Sequence, residues 1–155
     1  MIHLRINFWE ITMHKMLLIF IFTSLSHTTF AETNQSNDEK ISAGKPGQLS
    51  NISRTINLTL LDNMFLPPEL TVSKDETIQF ILKNLGDNTH EFLIGSEDEL
   101  KKAASMKRKN EHLIRIKPGE QKELIWEFTN MGIVNFACPL SGHFKTMKGK
   151  IIVKN

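Results

Sequence analysis

The sequence predicts an all-β fold: a Greek-key β-sandwich or barrel with one short helix inserted. From Arg54 onward, short segments alternate apolar and polar residues at period two, the mark of strands with one face on a core. Turn residues punctuate these segments at short intervals, as they do in sandwiches and barrels. Between them, a single stretch switches to helical spacing behind a capping box.

Ile56, Leu58 and Leu60 form the first alternating series, followed by Leu70 and Val72, then Ile78, Phe80 and Leu82. Leu124, Trp126 and Phe128 continue it, then Val134, Phe136 and Cys138, and finally Ile151 and Val153. The separating turns are Pro67-Pro68, Lys74-Asp75, Asn84 to Asn88, Lys117-Pro118-Gly119 and Met131-Gly132. In Ser96-Glu97-Asp98-Glu99 the Ser96 hydroxyl can accept from the Glu99 amide while the Glu99 carboxylate reaches back. Leu100, Ala103 and Ala104 follow at helical spacing. Acids in the first turn and Lys107, Arg108 and Lys109 near the end complement the helix dipole. The Lys101 to Lys109 cluster reads as a solvated helix face, with a docking surface for an acidic partner as the alternative.

The 155 residues give room for one domain, and a composition of 40% hydrophobic and 23% charged residues excludes a disordered chain. A formal charge of +2 is too small for a nucleic-acid binder. Residues 1–31 read as a signal peptide: Arg5 and Lys15 precede the apolar run Met16 to Phe22, and Thr28-Thr29-Phe30-Ala31 offers a small-residue cleavage site. An uncleaved anchor is the alternative, but the run is short of the roughly 20 apolar residues that a bilayer demands. Cleavage after Ala31 leaves 155 − 31 = 124 residues and places the protein in the periplasm, with no membrane attachment. Residues 32–53 read as a solvated leader without His, Met or Cys, and 54–155 as the folded domain.

Cys138 is the only cysteine, so no internal disulfide supports the fold. An odd cysteine in an exported chain is a buried core residue, an intermolecular bridge, a nucleophile or a metal ligand. The segment Cys138-Pro139-Leu140-Ser141-Gly142-His143-Phe144-Lys145-Thr146-Met147 puts a thiolate, an imidazole and a thioether on one loop between two predicted strands. Thiolate and imidazoles with a weak thioether form a donor set that suits copper. Three donors from one loop leave the coordination incomplete, and His90, at a predicted strand end, is the candidate for the fourth. Each residue also has a plainer reading. Cys138 alternates with Val134 and Phe136 like a core residue, His143 fits a solvated loop, Met147 fits core filler, and His90 fits a strand cap. Met64 and Met106 read as packing residues, and His112 as a surface residue.

The chain resembles the cupredoxin family of type 1, or blue, copper proteins. Cys138-x4-His143-x3-Met147-Lys148-Gly149 has azurin-like spacing, where plastocyanin has a shorter Cys–His gap. Asn84 to Phe92, with His90-Glu91-Phe92, is similar to bacterial cupredoxins linked to copper tolerance. The resemblance covers Thr55 to Val153. It implies one type 1 copper ion with His90, Cys138 and His143 as strong equatorial ligands and Met147 as the weak axial one. It also implies one-electron transfer by a monomer that meets redox partners, or a copper-handling role among copper-handling partners, and no enzymatic turnover. His143 would be the solvent-facing edge, with Leu140 and Phe144 in an apolar docking patch. A thiol or zinc enzyme built on Cys138 and His143 is the remaining class, although Met147 has no role in it. Three positions depart from the family pattern. Glu91 stands where Asn is common, Pro139 has no amide to donate to the thiolate, and Thr89 precedes His90. An amide bond to the sulfur is therefore expected from Leu140 or from the Glu91 backbone.

Overall fold

The computed structural model describes residues 43–106 and 110–155. Strands β1 (Lys45–Pro46), β2 (Arg54–Leu61), β3 (Met64–Leu66), β4 (Glu69–Ser73), β5 (Thr77–Asn84) and β6 (His90–Gly95) precede helix α1 (Glu97–Met106). Strands β7 (Ile114–Ile116), β8 (Gln121–Glu127), β9 (Gly132–Ala137) and β10 (Lys148–Lys154) follow it. They form two five-stranded mixed sheets, in the orders β1-β8-β5-β2-β3 and β4-β10-β9-β6-β7. The β2–β5 and β10–β4 pairs are parallel, and the others are antiparallel. The sandwich with one inserted helix is thus the fold observed.

The alternating residues do what their spacing requires. Leu58, Leu60, Ile78, Phe80, Leu82 and Trp126 from one sheet meet Val72, Phe92, Val134, Phe136, Ile151 and Val153 from the other in one buried cluster. Aromatic rings join the two layers: Phe80 lies 6.2 Å from Phe92, and Phe65 lies edge-on to Phe136 at 5.2 Å. Such pairs add to the gain from burying apolar area. The Trp126 indole N–H donates to the Ala43 carbonyl at 3.0 Å, which satisfies its polar edge inside the core.

Four strands escape the period-two pattern. β1 has two residues and β3 and β7 three each, too short to show a period. In β6 every residue is buried, so inward and outward positions are both apolar or paired and no alternation appears. The second face of β6 is covered by the helix: Leu93 packs with Leu100 and Ala137 in a separate small cluster. The capping box forms, with the Ser96 amide donating to the Glu99 carboxylate and the Glu99 amide donating to the Ser96 hydroxyl at 3.2 Å. The helix-end cations Lys107, Arg108 and Lys109, the signal peptide and residues 32–42 of the leader lie outside the described residues. Residues 43–53 are described, and there β1 pairs with β8 and Ala43 is buried in the core. Among the described residues, no helix is long and apolar enough to cross a membrane.

Two substitutions separate core from cap. Phe80→Ala, at a fully buried ring, is expected to lower the unfolding free energy by about 3–5 kcal/mol in chemical denaturation. Ser96→Ala is expected to cost about 1 kcal/mol, because it removes one capping acceptor from a peripheral helix.

Candidate metal centre

β9 ends at Ala137, and Cys138 is the first residue beyond it. The Cys138 amide donates to the Met147 carbonyl at 3.0 Å, so the loop is pinched shut where β10 begins. Inside the loop, the His143 amide donates to Leu140 O at 3.0 Å and the Met147 amide to His143 O at 2.9 Å. The second of these is an i to i+4 bond, which brings His143 and Met147 round one helical turn to the same side. Gly142 has φ of 86°, a conformation that side chains disfavour, and it lets the loop reverse just before His143.

His90 opens β6, which runs antiparallel to β9 with Leu93 opposite Ala137. Beyond that register the ladder is continued by a different bond, from the Glu91 amide to Cys138 Sγ at 3.3 Å. Strand pairing therefore carries the imidazole to the sulfur. His90 Nδ1 lies 3.2 Å from His143 Nδ1, and Cys138 Sγ lies 3.7 Å from His143 Nδ1. Donor atoms of His90, Cys138 and His143 all fall within 4.8 Å of one another. A first-row ion with metal–nitrogen bonds of about 2.0–2.1 Å, a metal–sulfur bond of about 2.3 Å and angles of about 110° needs N···N of about 3.3 Å and N···S of about 3.6 Å. The donor set fits such an ion in both chemistry and spacing. Met147, the fourth predicted residue, is fully buried in the same core cluster as Cys138.

Several contributors were not singled out by sequence. Asp62, in the turn between β2 and β3, has Oδ1 3.2 Å from His90 Nε2, and it also accepts from the Asn88 amide at 3.0 Å. Buried Asn84 ends β5 and braces the same turn. Its Nδ2 donates to Asn88 O at 2.8 Å and Ile116 O at 3.1 Å, and its Oδ1 accepts from the Gly86 amide at 2.9 Å. Asn in a Gly-containing turn at a strand end was the available signal for Asn84. Asp62 gave none, because its partners lie on another turn. The buried Glu91 carboxylate pairs with Arg115 of β7 at 3.4 Å.

Burial pushes the Cys138 thiol above its ordinary value, while the Glu91 and Leu140 amides pull the other way. Both expected amide donors are thus present, and Pro139 is bypassed. Burial lowers His90, against the opposing pull of Asp62, which favours the neutral imidazole, the form with a lone pair to give. Burial raises Glu91, with Arg115 opposing. The Asp62 carboxyl is held low, chiefly by the Asn88 amide.

Three peripheral expectations change. His112 is not a free surface group: its ring stands edge-on to Trp126 at 5.4 Å, because the segment after α1 folds back over the sheet. Met64 is 43% exposed on the edge strand β3 and does not pack in the core. Phe144 is half-buried against the Leu93 cluster with the Lys148 ammonium 4.1 Å over its ring, so it is partly withdrawn from any outward apolar patch.

The profile of the cupredoxin-like domain family matches residues 15–153. A protein of Rubrivivax gelatinosus described as the copper-resistant cuproprotein CopI is 34% identical over 120 residues, covering 72% of this chain and 73% of the relative. A Vibrio cholerae protein of the same description is 33% identical over 109 residues, covering 64% of each. Among solved structures, auracyanin B superposes with a TM-score of 0.61 at 15% identity, over 73% of this chain and 97% of that one.

The buried sulfur has a measurable consequence. In metal-free protein, thiolate absorbance is expected to rise at a pH above the ordinary value of 9.0, and lower again once the chain is denatured. A folded-state titration at or below that of the denatured chain would contradict the burial effect.

Proposed function

Because the chain belongs to the cupredoxin-like family, we propose that it binds one copper ion, with His90, Cys138 and His143 as strong ligands and Met147 as a weak fourth. The observation that carries this reading is the convergence of two imidazole Nδ1 atoms and one thiolate sulfur at metal-bonding separations. Bound copper would supply one-electron chemistry by alternating between Cu(II) and Cu(I). The residues supply the frame. Cys138 must lose its proton to ligate, and the Glu91 and Leu140 amides then stabilise the negative sulfur. Strand pairing and the pinched loop keep the donors in place, so little reorganisation accompanies a change of charge.

The centre is one of binding and redox change without catalytic turnover. A nucleophilic cysteine needs a lowered pKa and some exposure, whereas Cys138 is fully buried and its thiol is raised. The protein acts in the periplasm after removal of residues 1–31, as a monomer, and serves copper resistance by holding Cu(I) delivered by copper-handling partners. The 34%-identical relative described as copper-resistant supports this role, and a leader without His or Met argues against bulk storage. A second reading, a mobile electron carrier that docks redox proteins, is favoured by His143, which is half-buried on a loop whose Ser141, Gly142 and Lys145 are exposed.

Mature protein titrated with Cu(II) is expected to take up one equivalent and to develop strong visible charge-transfer absorption that Cys138→Ser abolishes. A colourless protein that turns over a thiol- or zinc-dependent substrate would point to the enzyme class. Deleting the gene separates the two roles. Loss of growth in copper with unchanged respiratory activity is expected for resistance, and the reverse outcome favours the carrier.

A further inference from the structure

His90 has two ring nitrogens and only one can serve the metal, so something must decide which carries the proton. The Nε2 edge faces Asp62 Oδ1 at 3.2 Å, while Nδ1 faces His143 Nδ1 at 3.2 Å. We propose that Asp62 is a positioning residue of the metal centre: its carboxylate takes the His90 Nε2–H, fixing the tautomer and ring angle that present Nδ1 to the ion. This rests on the copper reading for its purpose but not for its geometry.

The carboxylate is itself built into place. Its Oδ1, the oxygen that faces the ring, also accepts from the Asn88 amide at 3.0 Å, and its Oδ2 accepts from the Asp87 amide at 3.3 Å, so two turn amides anchor the carboxylate. Asn84 holds that turn through Asn88 O and the Gly86 amide. Gly86 leaves the space required: a Cβ there would run into Asp62 Oδ1. The imidazole is fully buried while the Asp62 side chain is 41% exposed, so the pair links a buried ligand to the surface. In a neutral His90 whose Nε2 is protonated, Nδ1 is an acceptor. With that tautomer, the 3.2 Å contact makes a hydrogen bond in the metal-free protein if His143 Nδ1 is the donor. Partners of this kind raise ligand basicity, and removing them typically costs about 10–100-fold in metal affinity.

Nitrogen-15 NMR of the metal-free protein reads the tautomer directly and needs no copper. Wild type is expected to show His90 as the Nε2–H form. Asp62→Ala is expected to give a mixed or Nδ1–H population and about 10–100-fold weaker Cu(II) binding. Asp62→Asn keeps one acceptor oxygen, enough for the ring and the Asn88 amide, but puts an NH2 group where Oδ2 accepts from the Asp87 amide. It is expected to retain the tautomer and the Asn88 amide signal while shifting that of Asp87, to recover much of the affinity, and to raise the reduction potential by removing a negative charge. Gly86→Ala is expected to reproduce the tautomer loss with the carboxylate still present. A His90 tautomer unchanged in both Asp62→Ala and Gly86→Ala overturns the proposal. Failure of wild type to bind copper, with the tautomer effect intact, overturns the copper reading and leaves the positioning role standing.

Discussion

The centre depends on the register of β6 against β9. Leu93 stands opposite Ala137, and the next bond toward the loop runs from the Glu91 amide to the Cys138 sulfur. Side chains in a strand alternate faces, so a slip of one residue would turn His90 away and present Glu91 or Thr89 instead. That register is held by residues remote from any chemistry. Phe92, Phe136 and Phe65 pack together in the core, while Leu93 is clamped by Leu100 of the helix on the other face. The helix matters to the site for this reason, although it contributes no ligand.

Burial disfavours the charged forms of both the Cys138 thiol and the His90 imidazole, and two imidazole nitrogens stand 3.2 Å apart beside that sulfur. A bound cation would take the place of the protons between these groups and accept their lone pairs. Around it stand two acidic groups, Asp62 on the outer edge of His90 and Glu91 beside the sulfur, the latter paired with Arg115. Negative charge there would favour the higher oxidation state of a bound copper ion, and the Arg115 pairing would moderate that bias.

Much of this was legible in the sequence because the relevant patterns are local. The strands with one solvated face alternate, the capping box sits within four residues, and Cys138, His143 and Met147 share one loop. His90 was legible as a strand-end imidazole, since a sandwich offers such an end to the loop. What stayed hidden is non-local. β6 lacks alternation because both faces are covered, and Asp62 reaches His90 across a turn from 28 residues away. His112 found Trp126 by the same kind of long-range folding, which spacing does not encode.

The most direct test is a structure, or X-ray absorption data, of the copper-loaded protein. One ion bonded to Nδ1 of His90, Nδ1 of His143 and the sulfur of Cys138, at about 2.0–2.3 Å each, is the expected result. An ion held through the Nε2 atoms, or bound away from Cys138, would contradict it.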